Sequence, residues 1–169
     1  MKNPLAVLRA LGVGALLLFL LMVAILQWKI APYVAFLPQA TLGAYTDSAL
    51  VELGDELRTK GLDRLYKAVL LSIDFLFITI FGLWVMLVHM MRSAVSWRFW
   101  GVAIAALFTA LDFGEDMMLA IRMGLATKGN LDPATLTAEV SAVHWVTLAK
   151  YAIFALCLMS AFIASRKRG

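Results

Sequence analysis

The chain has 169 residues, of which 63% are hydrophobic and only 15% are charged, and its formal net charge is +4 at pH 7. A soluble domain of this size has no interior large enough to hide so much apolar surface. The basic residues stand at the ends of apolar runs and form no stripe interleaved with aromatic side chains, so the sequence also argues against nucleic acid as a partner.

Four apolar runs are long enough to cross a bilayer, which takes about 20 helical residues. They cover about 6–28, 65–90, 100–125 and 141–165. The sequence therefore predicts an all-α, polytopic membrane protein in which residues 1–169 form a single four-transmembrane-helix bundle. The lipid bilayer is its expected partner, together with other membrane protein subunits if it belongs to an assembly.

The first run could be read as a secretory signal, because Lys2 and Arg9 precede a row of leucines. Its apolar part is longer than the usual signal core, and no small-x-small cleavage site follows it. Trp28 and Lys29 are typical of residues that anchor a helix end at the membrane interface. We interpret this run as a retained membrane anchor.

The segment "TDSALVELGDELRTKG" between the first two runs predicts a short amphipathic helix at about 47–60. Residues 46–48 are good N-cap candidates, and Gly61 can end the helix. The apolar residues that fall near one helical face are Leu50, Val51, Leu53 and Leu57. In the loop before the fourth run, Asp132 is a candidate N-cap and Pro133 a candidate first helical residue. We therefore expect the chain to become helical again before the fourth run.

Four spans place both termini on one side of the membrane. That side carries basic residues and no acidic ones: Lys2, Arg9, Arg92, Arg98, Arg166, Lys167 and Arg168. The other side holds a comparable number of Lys and Arg, so their count alone does not decide the orientation. The dense run at 166–168 and the purely basic short loop favour cytoplasmic termini and a multi-pass protein of the inner (cytoplasmic) membrane.

Ionisable residues interrupt the apolar runs at similar depths. Counting about 1.5 Å per residue from the middle of each run places the four acids and Lys150 at a similar depth, with Thr147 one turn further out and His144 near the outer interface. The predicted buried polar network consists of Asp74 in the second run, Asp112, Glu115 and Asp116 in the third, and His144, Thr147 and Lys150 in the fourth. Charges within the bilayer are costly, so we expect them to face the bundle interior, with Asp112 and Lys150 as the first ion pair.

Three functions are compatible with this network. It could be a structural set of ion pairs in an accessory membrane protein, which the sequence favours, or a site for a proton, a cation or a polar ligand. It could also be a membrane-embedded enzyme site for a lipid-like substrate, although no familiar catalytic motif is present and the sequence favours a protein that is not an enzyme. No cofactor is predicted, but a divalent metal could be held by Asp74, Asp112, Asp116 and His144.

Two further residues have simpler interpretations. His89 stands at the end of the second run beside Arg92 and is expected to be an interfacial residue and not a ligand. Cys157 is the one cysteine of the chain, which excludes a disulfide framework, and is expected to fill space between helices.

The motifs "LYKAVLLSIDFLF", "LDFGEDMMLAIRM" and "HWVTLAKYAIFAL" resemble a family of small bacterial four-helix integral membrane proteins of uncharacterised function. That family has an aspartate in span two, D-x-x-E-[ND] in span three and T-x-x-K in span four. The resemblance covers about residues 44–160 and implies a shared four-helix core, without an activity to carry over. This chain has Asp116 where the family more often has asparagine, which adds a charge to the network.

Overall fold

A computed structural model of the chain describes residues 4–124 and 139–166. Within this part the chain is helical, and its only strand-like feature is an isolated bridge between Thr46 and Val140. Five helices are found there: α1 (Pro4–Tyr33), α2 (Asp47–Thr59), α3 (Asp63–Arg92), α4 (Val95–Arg122) and α5 (Ala142–Arg166). The prediction of an all-α protein is confirmed.

Three of these helices, α1, α3 and α5, are long and apolar enough to cross a membrane. The fourth predicted span corresponds to α4, which has 28 residues but carries five charged ones. Four membrane spans are therefore not confirmed, because the acids of the predicted network lower the hydropathy of this one helix.

Two long helices are irregular in a way that the sequence did not indicate. α1 is α-helical over Pro4–Ile25, then forms a π-helical segment at Leu26–Ile30 and a 3₁₀ turn at Ala31–Tyr33. α3 contains a second π-helical segment at Val69–Asp74. Such segments are rare in proteins and occur often at functional sites.

The core of the bundle is formed by α3, α4 and α5, which pack extensively on one another. Gly82 of α3 allows α4 to come close, since a Cβ atom there would lie 2.6 Å from Oγ1 of Thr109. α1 packs mainly on α3, and Ala15 is the one buried residue of its Pro4–Ile25 stretch. α1 is thus a peripheral helix with most of its apolar side chains at the surface.

The predicted amphipathic helix at 47–60 is present as α2. The Thr46 hydroxyl accepts a hydrogen bond from the Ala49 amide at 3.3 Å, and Gly61 turns the chain with a φ of +68°. Its leucine face is buried, and Gly54 lies so close to the end of α4 that a Cβ atom would overlap the carbonyl oxygen of Met123. α2 therefore covers one end of the bundle, which we call the α2 end.

The opposite end carries Arg9, Arg92, Arg98 and Arg166 near the helix ends, and we call it the basic end. Leu8, Val88 and Ala161 meet there, which places the start of α1 beside the ends of α3 and α5. The helix start predicted at Asp132 and Pro133 lies outside the described residues, as do Lys2, Lys167 and Arg168.

Candidate functional site

All seven residues of the predicted network are buried between α3, α4 and α5. At most 6% of any of them is exposed, and they are Asp74, Asp112, Glu115, Asp116, His144, Thr147 and Lys150. Asp74 is the last residue of the π-helical segment of α3. The acids of α4 are three and four residues apart, which places them on adjoining strips of one helix face, directed at α3 and α5.

Lys150 joins α5 to α4 through two carboxylates. Its Nζ atom lies 2.8 Å from Oδ1 of Asp112, which is the ion pair predicted from the depth of the two residues. It also contacts the carboxylate of Glu115, which has no exposed surface. The hydroxyl of Thr147 donates to the other oxygen of Glu115 at 2.5 Å. One lysine therefore contacts two of the four acids and offsets one of their negative charges.

Tyr45 extends this network beyond the residues that the sequence identified. Its hydroxyl lies 3.1 Å from Oγ1 of Thr147, and its ring meets the His144 ring edge-on at a centroid distance of 5.2 Å. Burial raises the pKa of Tyr45 above its ordinary value, so this phenol stays neutral. Tyr45 precedes α2 in an irregular segment, where no periodic pattern could place its side chain.

Three of the acids also lie close to one another, and of these three only Asp112 forms an ion pair with Lys150 within the described residues. One carboxylate oxygen from each of Asp74, Asp112 and Asp116 can be chosen so that all three lie within 4.8 Å of one another. Neither carboxylate oxygen of Asp116 has a hydrogen-bond partner in the described part of the chain. Like charges so close and so deeply buried cannot all persist without a proton or another cation. We call these three residues the aspartate cluster.

His144 is not part of the aspartate cluster, although the sequence offered it as a fourth metal ligand. It is buried between the rings of Tyr45 and Trp145, and its Nδ1 atom has no hydrogen-bond partner within residues 4–124 and 139–166. Among the described residues, the metal candidates that the structure brings together are the three aspartates.

A cavity of about 180 Å³ reaches the cluster from the side of α1. Asp74, Asp112 and Lys150 line its polar part, together with Gln27 and Gln39, while apolar side chains of α1, α3 and α5 form the rest. Gln27 belongs to the π-helical segment of α1 and Asp74 to that of α3, so both irregular segments border this cavity. The hydroxyl of Tyr151 donates to the carbonyl oxygen of Gln39, which fixes the loop above the site.

His89 and Cys157 lie apart from the site. His89 is buried, and its two ring nitrogens are hydrogen-bonded to Ser93 at 2.9 Å and Ser160 at 3.1 Å. Ser93 directly follows the last residue of α3 and Ser160 lies within α5, and neither serine was marked as a partner of His89 by the sequence. Cys157 is buried among apolar side chains, as expected for a residue that fills space.

Comparisons of the chain with protein-family models, with curated proteins and with solved structures find no match. The resemblance to small four-helix membrane proteins stays a prediction that rests on the three motifs.

Proposed function

We propose that this protein spans the membrane four times and binds a cation at the aspartate cluster. The observation that carries the proposal is the imbalance of buried charge around Lys150. This lysine contacts Asp112 and Glu115, while Asp74 and Asp116 have no basic partner in the described part of the chain. With Lys150 charged, the four carboxylates leave an excess of negative charge. A divalent metal would offset two of these negative charges and a proton the third, and carboxylates are ligands that Mg²⁺, Ca²⁺ and Mn²⁺ accept.

The fourth span in this proposal is α4. At about 1.5 Å per residue, its 28 residues give a length of about 42 Å, which exceeds the hydrocarbon core of a bilayer. Its three acids are buried between α3 and α5, which is where a spanning helix can carry charge at the lowest cost. Such a helix can cross a membrane while its hydropathy stays below that of its neighbours.

The orientation follows from the charge at the two ends. Lys and Arg are about equally many on the two sides, but the short loop of the basic end carries Arg92 and Arg98 without acids, and a dense basic run stands at 166–168. We therefore place the basic end, with both termini, in the cytoplasm of a cell whose inner membrane holds the protein.

Cysteine labelling tests this topology. Glu52 of α2 and Ser165 of α5 are exposed, and each can be changed to cysteine after the buried Cys157 has been replaced by alanine. A membrane-impermeant maleimide added to intact cells should label the Glu52→Cys variant and leave Ser165→Cys unlabelled until the membrane is opened. Labelling of both variants from the same side would contradict four spans.

The Lys150 part of the network supports a second, structural function. Lys150, Thr147 and Glu115 connect α4 with α5, and Tyr45 adds the loop before α2. These contacts connect the helices, and because these groups already bind one another they offer few free hydrogen-bonding atoms to a ligand. We assign the role of a structural clamp to them and the role of the cation site to the aspartate cluster. As an accessory subunit of a membrane assembly, the protein would need the clamp alone.

Binding of Mn²⁺ tests the cation site. At a Mn²⁺ concentration 100 times its dissociation constant, the native state gains about 2.7 kcal/mol, which raises the melting temperature of a chain of this size by roughly 5–10 °C. The full chain in a mild detergent should show this rise, and Glu52→Gln, which changes an exposed acid, should keep it.

We expect Asp116→Asn to affect the stability differently in the absence and in the presence of Mn²⁺. Without metal the variant should be at least as stable as the parent protein, because a buried like charge has been removed. With Mn²⁺ its melting temperature should not rise. A parent protein that is indifferent to Mn²⁺, or a variant that keeps the full rise, would contradict a metal at this cluster.

A further inference from the structure

A groove runs along the bundle between α1 and α5, with α3 as its floor. Its first part is the cavity beside Asp74 and Asp112. Its second part is a cavity of about 360 Å³ toward the basic end, lined by apolar residues from Gly12 to Phe19 on α1, by Phe81 and Trp84 on α3, and by Leu158 on α5. Phe19, Phe77 and Phe154 line both cavities, so the two are adjoining parts of one groove.

The groove faces the lipid side of the bundle. Leu16 on its α1 wall is 56% exposed and Leu158 on its α5 wall is 42% exposed, which places both rims at the surface of the helices. α1 packs mainly on α3, and this leaves the space between α1 and α5 open. A molecule in the bilayer could therefore enter sideways, without passing through water.

The two parts of the groove differ in chemistry. The part near the basic end has walls of aromatic and aliphatic side chains, which suit a hydrocarbon chain. The part near the cluster presents Asp74, Asp112 and Lys150, with Asp116 and Glu115 directly behind them. A ligand that fills the whole groove must be amphiphilic, with its polar head at the aspartates.

The sign of the charge selects the head group. Four carboxylates surround one lysine, and that lysine already contacts two of them. An anionic head would add to an existing excess of negative charge, whereas an ammonium group would donate charge-assisted hydrogen bonds to Asp74 and offset one of the excess negative charges.

We propose that the groove between α1 and α5 binds a membrane amphiphile with an amine head group, which lies against Asp74 and Asp112 while its hydrocarbon chain extends past Phe19 toward Trp84 and Leu158. This inference rests on the proposed cation site and names a class of cationic ligand that can reach this site from the bilayer.

Spin-labelled probes in vesicles of phosphatidylcholine test the proposal with the full chain. We compare stearylamine, stearyl alcohol and stearic acid, each with a nitroxide on the hydrocarbon chain, and measure the motionally restricted fraction of each by electron paramagnetic resonance. The amine should be preferred over the alcohol by about tenfold, as expected for one charge-assisted contact in a buried site, and the acid should be the weakest. A tenfold molar excess of butylamine, which has the head without the chain, should leave the amine signal unchanged.

Two variants assign the contacts of head and chain. Asp74→Asn should abolish the preference for the amine. Leu158→Trp should reduce binding of all three probes by filling the groove, and Leu156→Trp is its matched control, because Leu156 is equally exposed on α5 but does not line the groove. Leu158→Trp should keep the rise in melting temperature with Mn²⁺.

Three outcomes would overturn the inference. They are equal binding of amine and alcohol, preference for the acid, and a signal that Leu158→Trp and Leu156→Trp change to the same extent. The stabilisation by Mn²⁺ is measured separately. If the parent protein is stabilised by Mn²⁺ but does not prefer the amine, the groove proposal alone is contradicted. Loss of both contradicts the cation site itself.

Discussion

Replacement of Lys150 by methionine removes the positive charge that lies between Asp112 and Glu115, while it keeps a side chain of similar length and apolar stem. Lys150 is 6% exposed and both carboxylates are more deeply buried, so the loss of the ammonium group leaves two buried carboxylates without their cation. Removal of one partner from a buried pair costs about 3–5 kcal/mol. We expect Lys150→Met to reduce the free energy of unfolding by that amount.

The two carboxylates should respond differently to this loss. Glu115 keeps a hydrogen bond from Thr147, whereas Oδ1 of Asp112 has no hydrogen-bond donor in the described part of the chain apart from the contact with Lys150. Asp112→Asn should therefore recover more of the stability lost in Lys150→Met than Glu115→Gln does. Each double variant should be more stable than the sum of its single changes by about 0.5–3 kcal/mol, the range for residues in one network.

Unfolding of the full chain by SDS in mixed micelles gives the free energies for both cycles. Lys60→Met, which changes an exposed lysine just after α2, is the control for a general effect of lost charge. If the single changes simply add in both cycles, Lys150 is not a partner of either acid, and the account of the clamp is wrong.

Two further pairs of variants test the packing at the α2 end. Gly54→Ala should lose about 1–3 kcal/mol of stability, because its Cβ atom would overlap a backbone carbonyl that cannot move aside. The Cβ atom of Gly114→Ala meets nothing within 4 Å, so this variant should gain about 0.5–1 kcal/mol from helix propensity. Equal effects of the two changes in thermal unfolding would refute the contact of α2 with α4. Thr147→Val should reduce the stability more than Tyr45→Phe does. The first change leaves a buried carboxylate oxygen and a buried phenol unpaired at about 1–3 kcal/mol each, whereas the second removes one hydrogen bond worth about 1 kcal/mol. The reverse order in the same assay would show that Tyr45 is the centre of this network.

The position of the ionisable residues along the helix axes could be predicted from the sequence, because a helix advances by a constant distance per residue. Asp112 and Lys150 each stand near the middle of a long apolar run, so counting from the ends brought them together without any knowledge of helix contacts. The same counting could not decide which acid stays without a cation, because that depends on how helices are rotated about their axes.

Other parts of the site lay beyond any periodic pattern. Tyr45 and Gln39 come from the irregular chain between α1 and α2, where neither a helix nor a strand period fixes the direction of a side chain. The burial of His89 could not be predicted, because neither of the two serines that bind its ring nitrogens is marked as a partner by any sequence pattern. The groove was missed since a gap between helices is a property of their packing.

The π-helical segment at Val69–Asp74 also determines the phase of α3. One extra residue in a helical turn shifts everything beyond it by about 100° around the axis, the rotation that one residue makes in an α-helix. Deletion of a single residue from this segment could restore a regular α-helix with no loss of backbone hydrogen bonds. The part of α3 between Asp63 and the segment would then be turned away from its partners while the part beyond Phe75 stays in place. In a comparison of related chains, a one-residue gap at this point would therefore mark a different site and not a neutral change in length.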